Sequence, residues 1–223
     1  MKVINASTEI LTNISEGGEG GIEELKLIES AGRTCYKSNA RISDDGSSAK
    51  GFVRNIIANG HEAMLEHSTL SVKFIVDRGI THELVRHRLF SFAQESTRYC
   101  NYAGDKFGNE ITVIKPCYWE EDSEAFADWK RAMLFAEGYY FRLIRNGATP
   151  QEARAVLPNS LKSEIIVSGN YREWRHFFNL RAVEVTGKVH PQMKEVSVPL
   201  LRKVCSKLPV VFDDILEKCN GEV

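Results

Sequence analysis

The stretch LSVKFIVDRGITHELVRHRLFSFAQESTRY, Leu70–Tyr99, changes its hydrophobic period twice. Leu70, Val72, Phe74 and Val76 alternate with Ser71, Lys73 and Ile75, the pattern of a half-buried strand. Gly79–Arg88 then takes helical spacing, with Ile80, Leu84 and His87 on a common side. Ser91–Tyr99 alternates again and reads as a second strand. Strands and helices mix in this way along the chain without a regular βαβ repeat, which predicts an α+β fold.

The flanking sequence agrees. Val3–Leu11 is a short apolar strand with its turn, and SEGGEGG, Ser15–Gly21, is a flexible loop by composition. Its glycines are no dinucleotide fingerprint, because Glu23 stands at the third glycine position after Gly18 and Gly20. Ile22, Leu25, Ile28 and Glu29 begin a helical period that fades at Gly32. Asn39–Lys50 reads as a polar loop before a short helix closed by Gly60. Downstream, Ile111–Ile114 is a strand, and Glu120–Arg145 is the longest helix, with Gly147 just past its end. Thr149-Pro150-Gln151-Glu152 is a capping box that opens a helix ending by Pro158. Ser163–Gly169 is strand-like and Asn170–Ala182 helical; Pro191–Cys219 is helical with breaks around Pro199 and at Pro209. No internal repeat appears. The expected architecture is a single domain over residues 1–223, with a mixed or antiparallel sheet packed with helices.

Composition closes several routes. A chain of 223 residues can bury a core without a disulfide or metal staple. A net charge of −1 argues against a protein built wholly around nucleic acid or an anionic membrane. No run approaches the roughly 18 apolar residues of a membrane span, and Met1–Asn13 lacks a signal-peptide core, so a cytoplasmic location is expected. The five cysteines form no C-x-x-C pair, which fits reduced thiols rather than a disulfide framework or zinc cage.

Chemistry concentrates in two segments. Within Arg86–Arg98 three arginines, Arg86, Arg88 and Arg98, stand against Glu95. Guanidinium forks bind phosphate or carboxylate oxygens bidentately and stay charged. Ser96 and Thr97 add hydroxyls and little bulk. As strand residues, Ser96 and Arg98 would share one side and Glu95 and Thr97 the other. The plainer reading, favoured for an arbitrary arginine pair, is a solvated rim with partners such as Glu83 and Glu95; a strand edge that gathers hydroxyl and guanidinium groups on one side looks instead like an oxyanion or phosphate site. The second segment is GNYREWRHFFNLR, Gly169–Arg181, where Arg172 and His176 share a helix face, as do Phe177 and Arg181. Tyr171, Trp174, Phe177 and Phe178 read most economically as core. Arg154 is a third cationic candidate. In GHEAMLEH, Gly60–His67, His61 and His67 are six apart, so this is not the H-E-x-x-H zinc motif, and no metal site is expected. Ser96 and Cys100 lack any demonstrable activating base.

RHRLFSFAQESTRY resembles the signature of the flavin-dependent thymidylate synthases: Arg-His-Arg, seven residues, then Ser. GHE…LEH, EARAVLP (Glu152–Pro158), GNYREWRHFFNLR and HPQMKE (His190–Glu195) are similar to family blocks in family order. The resemblance implies reductive methylation of dUMP to dTMP, with methylenetetrahydrofolate as carbon donor, NADPH as reductant and FAD as redox mediator. It implies FAD contacts from Arg86, His87, Arg88, Gln94, Asn170, Arg172 and His176. The dUMP site would be lined by Glu83, Leu84, Val85, Arg86, Gln94, Glu95, Ser96, Thr97, Arg98, Arg154 and Arg181. Arg181 would be catalytic, stabilising uracil ionised at N3 so that no covalent enzyme nucleophile is needed. It implies too a homotetramer with FAD at subunit junctions, which suits an FAD enzyme lacking the Rossmann glycines. Two alternatives from other classes are an anion- or RNA-binding module using Arg86–Arg98 and a metal hydrolase centred on His61, Glu62 and His67.

Overall fold

The computed structural model describes residues 1–14 and 21–221. Its elements begin with β1 (Lys2–Ile4), β2 (Ser7–Ile10), α1 (Ile22–Cys35), α2 (Ser47–Ala58), β3 (Thr69–Asp77), α3 (Arg78–Leu84) and β4 (Ser91–Gln94). They continue with β5 (Thr112–Ile114), α4 (Glu124–Arg145), α5 (Pro150–Ala153), β6 (Lys162–Asn170), α6 (Tyr171–Arg181), α7 (Pro191–Lys207) and α8 (Pro209–Asn220). The α+β expectation holds. The four-stranded sheet has the order β2-β3-β6-β4, and β1 pairs with β5 in parallel, Lys2 opposite Thr112 and Ile4 opposite Ile114. The chain divides into two compact units.

The first unit comprises Met1–Glu9, Lys73–Arg88 and Phe92–Val167. Its core gathers Tyr102, Ile111, Val113 and Leu161 with one face of α4: Phe126, Trp129, Met133 and Tyr140. Those four recur at helical spacing, and Ser123 starts the helix by accepting the Phe126 N–H at 3.1 Å. The helix begins at Glu124 rather than Glu120 because Ser123 is its cap. Gly147 follows its end at φ +92°, a left-handed conformation suited to glycine. The Thr149–Glu152 capping box is present, with Pro150 at the first helical position.

The second unit comprises Ile10–Val72, Leu89–Ser91 and Ser168–Val223. Its centre is α6: Tyr171, Trp174, Phe177 and Phe178 are fully buried, as expected of core residues. Phe90 lies 4.7 Å from Trp174, centroid to centroid, and the indole N–H donates to the Leu70 carbonyl at 2.9 Å. A Cβ on Gly169 would fall 2.2 Å from the Phe90 ring, so glycine is required there by close approach.

Several boundaries differ from expectation. α1 continues past Gly32 to Cys35, because the bare glycine admits the Phe52 ring, which a Cβ would meet at 2.4 Å. α2 takes Ser47–Lys50 from the expected polar loop. α7 runs unbroken through Pro199; its buried face of Val196, Leu200, Leu201 and Val204 outweighs the one backbone bond proline removes. The Ser15–Gly21 loop expectation lies outside the described residues except for Gly21, which caps α1 at φ +66°.

Candidate functional site

In the first unit, Asp77 starts α3 by accepting the Ile80 N–H at 2.7 Å. The helix ends at Leu84, short of the expected Arg88, because the next bonds tighten to three-residue spacing: Arg86 N–H to Glu83 O and His87 N–H to Leu84 O. Arg86 and Arg88 are exposed and His87 is buried.

The expected strand over Ser91–Tyr99 is corrected: β4 stops at Gln94. The Glu95 N–H still reaches the Glu164 carbonyl at 2.8 Å. Ser96 then turns the chain. Its carbonyl accepts the N–H groups of Tyr99 and Cys100, and its hydroxyl accepts that of Arg98 at 3.3 Å. Ser96 and Arg98 are therefore turn neighbours rather than members of one strand face. Arg98 is exposed, with Nε donating to Gln151 at 3.2 Å and its guanidinium lying over the Tyr99 ring. Arg154 reaches back to the buried Thr97 hydroxyl at 3.5 Å. Ser96, Thr97, Arg98 and Arg154 thus come together from a turn and the end of the α5 capping helix, a set suited to a phosphate.

The floor of this turn was not legible in the sequence. Gln94 Nε2 donates to Thr81 and Ser163 at 3.0 and 3.1 Å. The Glu95 carboxylate accepts from the Tyr102 hydroxyl at 2.9 Å and from Lys162 Nζ at 2.8 Å, so its partner is a lysine rather than the motif arginines. Burial, then the Glu95 charge, pushes the Tyr102 phenol far above its ordinary range. The same two causes raise the half-buried Cys100 thiol, which leaves it a poor nucleophile.

In the second unit a cavity of about 650 Å³ is lined by Asn170, Arg172, His176, Asn179, Glu62, Glu66 and Leu89, among others. Asn170 caps α6, its Oδ1 accepting the Glu173 N–H at 2.9 Å. Arg172 and His176, one turn further along and both exposed, carry the face expected of them. Glu62 and Glu66 sit on a 3-10 turn and pair with arginines: Glu66 with Arg172 at 2.6 Å, Glu62 with Arg175 at 3.0 Å. Arg175, passed over in the sequence, is a buried strut that also grips Asp214 with both terminal nitrogens. Arg181 ends α6 half-buried, and its carbonyl accepts from Ser197 at 2.7 Å. Among the described residues no group of three or more His, Cys, Asp or Glu is disposed to hold a metal ion. All five cysteines are free thiols.

These donors fit a flavin dinucleotide. Arg172 keeps donors beyond the one held by Glu66, carboxylates can accept from ribose hydroxyls, and Leu89, 76% exposed, offers apolar surface.

The same fold is found in the UMP/dUMP methylase PolB from Streptomyces cacaoi bound with 5-Br dUMP, at a TM-score of 0.75, 22% identity and 96% coverage of each chain. A family model described as thymidylate synthase complementing protein matches residues 22–210. The flavin-dependent thymidylate synthase of Corynebacterium aurimucosum is 35% identical over 89% of this chain and 83% of its own. That of Mycobacterium marinum is 36% identical over 91% and 82%. The chain belongs to the flavin-dependent thymidylate synthase family. It is accordingly an enzyme, a flavin-dependent methyltransferase.

Proposed function

We propose that the enzyme methylates dUMP to dTMP, taking carbon from methylenetetrahydrofolate and electrons from NADPH. The observation that carries this reading is the turn joining Ser96, Thr97 and Arg98 to Arg154, which offers hydroxyls and two guanidinium groups within a family motif. A neighbour of the same fold is described with a bound brominated dUMP, which supports a pyrimidine nucleotide as ligand.

In this reading Arg98 and Arg154 neutralise the nucleotide phosphate, and Ser96 orients it without attacking. Glu83, Leu84, Val85, Arg86, Gln94, Glu95 and Thr97 complete the nucleotide site. Arg181 stabilises uracil ionised at N3, which drives electron density to C5 and makes it nucleophilic. Such a cation is effective where water is scarce, and the half-buried end of α6 suits that demand. Arg86, His87, Arg88, Gln94, Asn170, Arg172 and His176 hold FAD. When bound, FAD would mediate the redox steps that NADPH drives; the protein's task is to orient the reactants. Residues 1–223 act as one functional domain, in the cytoplasm, within a homotetramer.

The test is reconstitution. Protein loaded with FAD should be yellow and oxidise NADPH faster when dUMP is added. Protein that takes up no FAD contradicts the proposal.

A further inference from the structure

We propose that Lys162 and Tyr102 are positioning residues for nucleotide binding: gripping the Glu95 carboxylate, they fix where the chain leaves β4 and so hold Ser96, Thr97 and Arg98 in their turn. The inference rests on the reading of that turn as the phosphate site.

Glu95 lies between the last residue of β4 and the turn. Three bonds pin it: its N–H to the Glu164 carbonyl, Oε1 to the Tyr102 hydroxyl, and Oε2 to Lys162. Tyr102 follows the turn, so one carboxylate ties the chain entering it to the chain leaving it. Closing a short loop in this way removes alternative conformations that binding would otherwise have to select against. Tyr102 is itself buried, packed against Tyr140 and Phe107, with its N–H donating to the Tyr140 hydroxyl at 3.3 Å. Lys162 is held a second time by Glu164, two residues along β6 on the same face.

The pair is also mostly dry. The Glu95 and Lys162 side chains are 13% and 18% exposed, so their charges are less screened than a surface pair. This gives Lys162 a second effect. A carboxylate one residue from a phosphate-binding hydroxyl would repel the phosphate, and the lysine cancels that field. Glu164, with Lys73 3.9 Å away, takes up part of the lysine's charge, but Oε2 of Glu95 remains its nearest oxygen. Losing Lys162 should therefore weaken a nucleotide more than the corresponding nucleoside, a signature that mere loosening of the fold does not produce.

The experiment is calorimetric titration of FAD-loaded protein with dUMP and with deoxyuridine, for wild type, Lys162→Met, Lys162→Arg, Tyr102→Phe and Arg98→Ala. Lys162→Met should raise the Kd for dUMP about tenfold, with a smaller change for deoxyuridine. Lys162→Arg should restore most of the affinity, and Tyr102→Phe should weaken dUMP roughly threefold. Turnover at saturating dUMP should fall less than KM rises. Unchanged dUMP affinity in Lys162→Met, with Arg98→Ala weakened, overturns the inference and leaves the phosphate site standing. Unchanged affinity in Arg98→Ala overturns the site itself. If Lys162→Met does not fold, Tyr102→Phe decides: wild-type affinity in that variant contradicts the proposal.

Discussion

Arg172 Nη1 donates to Glu66 Oε1 at 2.6 Å, joining the first turn of α6 to the 3-10 turn at Glu62–His67. Both side chains are about half exposed, so the pair itself stabilises the fold by less than about 1 kcal/mol. In the proposed reading its effect falls on the ligand: Glu66 partly neutralises the guanidinium proposed to hold an anionic cofactor. Glu66→Gln should tighten FAD binding roughly threefold at low salt, and the gain should vanish near 1 M salt. Arg172→Ala should loosen it about tenfold. Quenching of flavin fluorescence on binding measures both.

Gly169 sets a steric limit beside this region. Since a Cβ there would overlap the Phe90 ring, Gly169→Ala must displace Phe90 from Trp174 and Phe177. The expected cost is about 2–3 kcal/mol, read from urea unfolding midpoints. A second change, Phe90→Leu, should recover part of it.

Much of the fold was legible. The Leu70–Val76 alternation places all four apolar residues at zero exposure, and the α6 aromatics are buried as their spacing required. Local signals with one physical meaning, such as the Thr149 capping box, carried through unchanged. What sequence could not supply was pairing at a distance. Glu66 meets Arg172 and Lys162 meets Glu95 only because the fold joins them, and neither lysine nor glutamate announces its partner. The turn at Ser96 was misread for a related reason: alternation continued past Gln94, while the serine hydroxyl and carbonyl take the N–H groups of Arg98, Tyr99 and Cys100.

The Lys162 network gives stability a defined pH window. Burial works against the lysine's charge, but hydrogen bonds to Glu164 and Glu95, and their charges, more than offset it and raise its pKa. A raised lysine contributes fully below its ordinary pKa and loses that contribution as pH climbs through the raised value. The hydrogen bond from Lys162 chiefly holds Glu164 below the usual carboxylate range, so its contribution is present above that range and is lost as pH falls. The stability gap between wild type and Lys162→Met should be widest between about pH 5 and 10 and narrow beyond either end. Chemical denaturation across that range tests it.

Cys100 sits beside the motif, and burial and Glu95 keep its thiol protonated. Cys100→Ala should keep at least about half of wild-type turnover and lose no more than about 1 kcal/mol of stability. A dead but folded variant would demand a covalent step.

The most direct measurement is release of tritium from C5-labelled dUMP by the protein with FAD, NADPH and methylenetetrahydrofolate. Wild type should release label in step with dTMP formed. Arg181→Ala, still binding FAD, should release it at least about a thousandfold more slowly, as expected when a cation aimed at developing charge is removed. Equal release from both, or none from FAD-loaded wild type, would contradict activation of uracil by Arg181.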